Sequence, residues 1–120
     1  MMKKAVVVGG SGFIGSHVAD HLSEAGYQVT IYDYNPSSWI RSDQEMVVGD
    51  ILDEKKIDQT IMGADIVYNF AALSDLNQAL DQPSKTVKIN ILGNINVMEA
   101  CRTHGVKRFI YASTVYVHSR

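Results

Sequence analysis

The sequence predicts an α/β protein with a doubly wound parallel sheet that carries helices on both faces. Apolar strand patterns alternate with helical patterns along all 120 residues, as in parallel βαβ units. The first strand runs into a glycine-rich turn at Gly9 to Gly15, and the second ends in an acid, Asp33. Because crossovers in such sheets are almost always right-handed, the expected strand order is 3-2-1-4-5. This is a Rossmann-type arrangement, which we expect to be truncated after the fifth strand.

The first half of the chain contains three strand patterns and two helical patterns. Strands are predicted at residues 5–8, 28–33 and 45–48. A helix is predicted over residues 13–25, and residues 34–43 show no helical period and are predicted to form a loop. Asp53 can cap a second helix that runs to Met62, where Gly63 is a suitable stop.

The second half continues the alternation. Strands are predicted at residues 65–70 and 107–112, and the first of them is mostly apolar, as buried parallel strands are. Residues 71–82 are ambiguous between a turn and a turn with a short helix. A long helix is predicted over residues 84–104, with Gly105 as its stop. Four apolar side chains share one face of this helix: Val87, Ile91, Ile95 and Met98.

Composition and charge restrict the class of protein. Hydrophobic residues make up 46% of the chain, charged residues make up 20%, and the formal net charge is -2. These values are ordinary for a globular protein and give no reason to expect nucleic acid or a membrane surface as a partner. No segment approaches the roughly 20 apolar residues that span a bilayer. Cys101 lies in an apolar helical stretch and is expected to be reduced and buried, so we expect a cytoplasmic protein.

The glycine-rich turn predicts a pyrophosphate site. A helix N-terminus presents unpaired N–H groups and its positive dipole end to an anion, and glycine lets the backbone approach closely. Two registers fit, one starting at Gly9 and one at Gly10. Both place Gly12 nearest the phosphate and Gly15 where the helix meets the sheet. A tight turn that binds nothing is the alternative, and the acid at the end of the second strand favours the binding site.

Residues at the ends of the next two strands, or directly after them, can hold the adenosine half of a dinucleotide. Asp33 can accept hydrogen bonds from ribose hydroxyls, and its charge would repel a 2′-phosphate, which favours NAD over NADP. An exposed turn carboxylate is the alternative. Asp50 can accept from an adenine amino group while Ile51 covers the ring. Asp50 can equally cap the following turn, and both interpretations stay open.

Small and hydroxyl-bearing residues follow the last two strands. Phe70, Ala71 and Ala72 come after the fourth strand, where small side chains would let the backbone pass close to a diphosphate and a nicotinamide ribose. Alanine is also common in ordinary turns. Ser113 and Thr114 follow the fifth strand, where hydroxyls could reach a substrate alcohol.

Together these segments resemble the extended short-chain dehydrogenase/reductase family, and in particular its nucleotide-sugar epimerases of the UDP-glucose 4-epimerase type. The matching segments are collinear and cover nearly the whole chain: residues 8–17, 32–33, 49–51, 69–72, Asn90 with Gly93, and residues 109–116. The resemblance implies NAD as cofactor and a mechanism of transient hydride transfer from a sugar hydroxyl. In that mechanism a tyrosine removes the hydroxyl proton, and a nearby lysine lowers the pKa of the tyrosine.

The resemblance also assigns roles to residues of this chain. It implies that Thr114, with Ser113 as the runner-up, hydrogen-bonds the reacting sugar hydroxyl. It implies cofactor contacts from Phe13 and Ile14 at the start of the first helix. It further implies that Asn90 helps to place the nicotinamide region.

The sequence departs from the family pattern in one respect that matters for catalysis. No tyrosine is followed by lysine four residues later, and Tyr116 is followed by Arg120 at that spacing. We therefore expect an incomplete NAD-binding domain over residues 1–120, inactive by itself. The full-length protein would act on a nucleotide sugar such as a UDP-hexose. A non-catalytic NAD(H) sensor and a carbonyl or steroid reductase are the alternatives.

The sequence makes two further predictions about ligands and partners. No metal site is expected, because His17 and His21 are four apart on a helix but lack a third ligand of suitable spacing. The family's homodimer contacts run through two helices, one of which corresponds to part of residues 84–104, so a homodimer stays open.

Overall fold

The structure, a computed structural model, describes residues 2–73 and 75–114. Its five strands are β1 (Lys4–Val8), β2 (Gln28–Asp33), β3 (Gln44–Val48), β4 (Ile66–Asn69) and β5 (Arg108–Tyr111). They form one sheet in the order β3-β2-β1-β4-β5, and every adjacent pair is parallel. The predicted sheet and its strand order are therefore confirmed.

The helices match the stretches that the sequence predicts to within one residue, except that residues 71–82, which are ambiguous in sequence, contain a short helix. They are α1 (Phe13–Glu24), α2 (Glu54–Ile61), α3 (Leu76–Asp81), α4 (Pro83–Val87) and α5 (Asn94–Thr103). A π-helical turn, Lys88–Gly93, joins α4 to α5, so the predicted long helix is one helical segment with a widened middle. Within the described part of the chain, no helix is both long and apolar enough to cross a membrane.

The predicted helix boundaries have the expected local causes. The Asp53 carboxylate accepts the N–H of Lys56 at 3.1 Å and so caps α2. Gly63 after α2 has φ of 81°, and Gly105 after α5 has φ of 64°. Glycine adopts this left-handed region without strain, and for that reason it ends helices.

The core has two layers, one on each face of the sheet. Residues 5–8 of β1 serve the two layers alternately, and each is at most 1% exposed. Val6 and Val8 pack with α2 and α5, whereas Ala5 and Val7 pack with α1. A strand buried on both faces is continuously apolar, which explains the first strand pattern of the sequence.

The apolar face predicted for the long helix points away from the sheet. Its four members, Val87, Ile91, Ile95 and Met98, are 46% to 54% exposed. A different face of α5 is buried, through Val97, Ala100 and Cys101, so the prediction of a buried cysteine is confirmed. Burial raises the pKa of the Cys101 thiol to about 11, which keeps it protonated at neutral pH.

Candidate functional site

A cavity of about 570 Å³ lies at the edge of the sheet where the strands end. This volume is in the range of sites that hold a cofactor or a drug-sized ligand. The cavity is lined by residues that follow β1, β2, β3 and β4 and by two residues of the helical segment after α3. Its principal lining residues are Gly9, Gly12, Asp33, Tyr34, Asn35, Gly49, Asp50, Ile51, Phe70, Ala71, Ala72, Leu73, Lys85 and Ile89.

The first glycine of the turn brings two strand ends together. Gly9 has φ of 81°, which favours glycine, and its N–H donates to the carbonyl of Tyr32 at 2.8 Å. A Cβ at this position would lie 2.6 Å from the backbone nitrogen of Ala71. The turn after β1 therefore passes directly against the segment after β4, which a larger residue would prevent.

The start of α1 is open to an anion. Gly12 is its N-cap, and among the described residues no side chain caps the helix and no acid lies in its first turn. The unpaired N–H groups and the positive dipole end are thus left for a ligand. A Cβ on Gly15 would collide with the carbonyl oxygen of Gly9, so glycine is needed where the helix leaves the turn. The exposed side chains of Phe13 and Ile14 do not line the cavity, and their predicted cofactor contacts stay predictions.

Asp33 is held at the rim of the cavity by the glycine-rich turn. One carboxylate oxygen accepts the N–H of Ser11 at 3.0 Å, and the other accepts the N–H of Asn35 at 3.1 Å. The Ser11 hydroxyl also donates to the Asn35 carbonyl at 2.6 Å. A carboxylate has about four acceptor positions, so this one is oriented and still has capacity for ribose hydroxyls.

The arginine in the loop after β2 is engaged elsewhere. Arg41 forms ion pairs with Asp20 at 3.0 Å and with Glu24 at 3.2 Å, both on α1. Arg41 does not line the cavity. A 2′-phosphate beside Asp33 would therefore meet a carboxylate without a compensating arginine from this loop.

A buried tyrosine positions the segment after β3. Tyr32 is 1% exposed, and its hydroxyl donates to the carbonyl of Asp50 at 2.6 Å. Burial, together with the nearby carboxylates of Asp53 and Asp50, raises the pKa of Tyr32 to about 12, so the hydroxyl keeps its proton at neutral pH. A Cβ on Gly49 would lie 2.5 Å from the Tyr32 hydroxyl oxygen, which explains the glycine.

Asp50 and Ile51 both line the cavity. One carboxylate oxygen of Asp50 accepts the N–H of Leu52 at 2.9 Å, so the turn-capping interpretation of this residue is observed. Because only one oxygen is used in that bond, the other can accept from a ligand. Ile51 packs against Gly93, and Asn96 donates to its carbonyl at 3.1 Å. The helical segment thus fixes this wall of the cavity.

The segment after β4 is clamped at both ends. The Phe70 N–H donates to the Val8 carbonyl at 2.8 Å. The Asn90 side chain exchanges two hydrogen bonds with the backbone of Leu73, at 2.8 Å and 3.1 Å. Asn90 itself does not line the cavity. In the structure it acts on the cavity through Leu73, and its predicted influence on a nicotinamide remains a prediction.

Ser113 and Thr114 follow β5 at the same edge of the sheet. Both are exposed, and neither lines the cavity. The Ala112 N–H donates to the Asn69 carbonyl at 3.2 Å, which keeps this segment beside the end of β4. Their roles as hydroxyl donors to a substrate stay predictions, and Tyr116 and Arg120 lie outside the described residues.

Sequence reasoning missed part of the lining. Asn35 comes two residues after Asp33, and its position after a strand could have identified it. Lys85 and Ile89 are four residues apart on the helical segment, a spacing that places both on one face. That spacing alone could not have told which face meets the cavity.

Comparison with known proteins identifies the family of the chain. A family model described as the NAD dependent epimerase/dehydratase family matches residues 5–119. UDP-glucose 4-epimerase of Streptomyces lividans is 35% identical over 95% of this chain, a match that covers 36% of the relative. The chain thus spans little more than a third of that relative.

Solved structures have the same fold. UDP-glucose 4-epimerase from Brucella ovis in complex with NAD matches with a TM-score of 0.88 and 31% identity, over 98% of this chain and 38% of that one. UDP-glucose 4-epimerase with UDP-glucose from Thermotoga maritima matches with a TM-score of 0.87 and 31% identity, over 92% and 38%.

Proposed function

The chain belongs to the NAD dependent epimerase/dehydratase family, and we propose that it is the NAD-binding portion of a nucleotide-sugar epimerase. The observation that carries this proposal is the cavity at the strand ends, which combines Asp33 with the open N-terminus of α1. In the proposal the domain occupies residues 1–120, and the complete protein works in the cytoplasm on a nucleotide sugar such as a UDP-hexose.

The described residues offer separate places for the diphosphate and the adenosine of NAD. The start of α1 and the turn at Gly9 and Gly12 suit a diphosphate, because the main chain approaches without side chains and the helix end is uncapped. The oriented Asp33 carboxylate suits the adenosine ribose, and the Asp50 oxygen that is free of Leu52 suits the adenine amino group. Arg41 is held in ion pairs with two acids of α1, so it is not placed to neutralise a 2′-phosphate, which supports NAD over NADP as the cofactor.

The proposed chemistry divides between the cofactor and the protein. NAD⁺, when bound, would accept a hydride from the carbon that carries the sugar hydroxyl. Thr114, with Ser113 as the alternative, donates or accepts a hydrogen bond at that hydroxyl from the end of β5. The segment formed by Phe70, Ala71 and Ala72 lies directly against the glycine-rich turn. Because a Cβ on Gly9 would already reach its backbone, no larger side chain fits between the two.

We test the cofactor first, by calorimetric titration of the 120-residue chain with NAD⁺ and with NADP⁺. We expect NAD⁺ to bind more tightly, and Asp33→Asn to weaken NAD⁺ binding by about 10-fold, because a charge-assisted hydrogen bond contributes about 1.5–3 kcal/mol. Asp43→Asn removes the same charge from an exposed loop position outside the cavity and should leave binding unchanged.

The substrate is tested with the full-length protein. We expect reduced NAD to form transiently with a UDP-hexose, and the 120-residue chain to show no turnover, since it contains no tyrosine–lysine pair at the required spacing. Turnover by the 120-residue chain would contradict the proposal that it is only the NAD-binding portion. NAD binding without oxidation of any nucleotide sugar by the full-length protein would favour a sensor.

We also propose that the chain forms a homodimer through an exposed apolar surface. Five large apolar side chains on the helical segment are 46% to 54% exposed: Val87, Ile91, Leu92, Ile95 and Met98. Such a contiguous apolar surface usually marks an interface. The family resemblance favours a homodimer as the arrangement that covers it.

A further inference from the structure

The formal charges around the cavity are unbalanced for an anionic ligand. Two carboxylates line it, from Asp33 and Asp50, and they lie at the carboxyl ends of neighbouring strands of the sheet. The backbone at the start of α1 supplies only the partial positive charge of a helix end, about half an elementary charge. A diphosphate brings two further negative charges, so a full positive charge in the cavity would have a large effect on its binding.

Lys85 is the one cation among the described lining residues. Its ammonium group has no hydrogen bond or ion pair within residues 2–73 and 75–114. Two cations near the ends of β2 and β3 are engaged elsewhere. Lys56 donates to the Val48 carbonyl at 2.6 Å, and Arg41 pairs with two acids of α1.

The location of Lys85 connects it to the glycine-rich turn. It lies on the cavity wall that includes Leu73 and Ile89, and Leu73 is fixed by the two hydrogen bonds of Asn90. The same wall continues through Ala71 to Gly9, where the two backbones nearly touch. Lys85 therefore lines the same cavity as the turn and the N-cap of α1, where an anion is expected.

We propose that Lys85 is a binding residue for the diphosphate of the dinucleotide, in the cavity that the glycine-rich turn also lines. This inference rests on the proposed function, because it needs a dinucleotide in the cavity. It adds a charged side chain to a diphosphate site otherwise built from backbone groups. A lysine on a flexible stem suits a phosphate as a point charge without bidentate geometry.

The test compares ligands with and without phosphate. NAD⁺, ADP and adenosine are titrated calorimetrically into the wild-type chain and into Lys85→Gln, Lys85→Arg and Lys88→Gln. Lys88 is the matched control, because it is an exposed lysine three residues along the same helical segment and does not line the cavity. Titrations at low and high salt measure the electrostatic contribution.

We expect Lys85→Gln to weaken NAD⁺ and ADP by about five- to tenfold at low salt, since charge-assisted hydrogen bonds are the strong ones and each tenfold is about 1.4 kcal/mol. Adenosine affinity should not change, Lys88→Gln should resemble wild type, and Lys85→Arg should keep most of the affinity. The difference between wild type and Lys85→Gln should shrink at high salt.

Several results would overturn the proposal. Equal affinities of Lys85→Gln and Lys88→Gln for NAD⁺ would remove the role of Lys85 while leaving the proposed function intact. An equal loss for adenosine would indicate a structural effect of the substitution. A loss confined to UDP, titrated onto the NAD-bound chain, would assign the lysine to the diphosphate of the sugar nucleotide. Absence of NAD⁺ binding by wild type would instead overturn the proposed function, and this inference with it.

Discussion

At the residue scale, the hydroxyl group of one buried side chain, Tyr32, shapes part of the cavity. The Tyr32 hydroxyl links β2 to the segment after β3 through the Asp50 carbonyl, and its bulk explains the glycine at position 49. The sequence predicted Asp50 and Ile51 from their position after a strand. It did not predict the role of Tyr32, because a tyrosine in an apolar strand has the same pattern whether its hydroxyl has a partner or not.

The first prediction at this scale concerns alkaline stability. Burial raises the folded-state pKa of Tyr32 from 10.0 to about 12. Between pH 10 and pH 12 the unfolded chain releases this proton while the folded chain keeps it, so the free energy of unfolding falls as pH rises through that window. We expect Tyr32→Phe to lose less stability than wild type between pH 10 and pH 12, measured by urea unfolding at each pH.

The same substitution has a cost at neutral pH. Removing the hydroxyl leaves the Asp50 carbonyl without this donor, and we expect a loss of about 1 kcal/mol at pH 8. Tyr111→Phe is the control, because Tyr111 is 60% exposed. Cys101 also has a raised pKa, but its contribution is common to all three proteins and cancels in the comparison. Parallel alkaline curves for wild type and Tyr32→Phe would contradict the prediction.

The helical segment after α3 supports the cavity at the element scale. Its π-helical turn ends at Gly93, and a Cβ there would lie 2.7 Å from Cγ2 of Ile51. Three residues further on, Asn96 donates to the Ile51 carbonyl. One side of this segment therefore holds the cavity wall that is expected to cover the adenine ring.

We predict that Gly93→Ala destabilises the protein and weakens NAD⁺ binding together. Overpacking of a buried site costs about 1–3 kcal/mol, and the side chain that must move is Ile51. In the Ile51→Ala background the added methyl group finds space, so the cost of Gly93→Ala should become smaller. A double-mutant cycle by urea unfolding measures this coupling. Additive effects of the two substitutions would show that Gly93 is required for another reason.

The elements themselves were largely predictable from local signals. Strand and helix boundaries followed from period, from the Asp53 cap and from the glycine stops, and the structure reproduces them within one or two residues. The π-helical turn was not predictable, because nothing in the spacing of residues 88–93 distinguishes it from an α-helix. The presence of Lys85 in the cavity depends on how this segment lies against the strand ends, and that is a tertiary contact.

At the scale of the whole molecule, the helical segment has two apolar faces, one buried and one exposed. The face with Val97 and Ala100 is buried against the sheet, as expected for a doubly wound fold. The face with Ile91 and Ile95 is about half exposed, although both faces are apolar in sequence. A helix that is apolar on two sides packs on two sides. Among the described residues, this exposed face is therefore the apolar surface that we expect a partner to cover.

The last prediction tests that partner as a second copy of the chain. We expect the wild-type chain to form dimers by size-exclusion chromatography with light scattering, and its melting temperature to rise with protein concentration. Ile91→Asp combined with Ile95→Asp should raise the dimer dissociation constant by at least about 100-fold, because burying unpaired charges costs several kcal/mol. Asn77→Asp combined with Gln78→Glu adds the same two charges at exposed positions of α3 and should leave the dimer intact. A wild-type monomer whose sharp melting transition is independent of concentration would contradict the proposed interface, because the exposed apolar face would then be stable in water without a second copy.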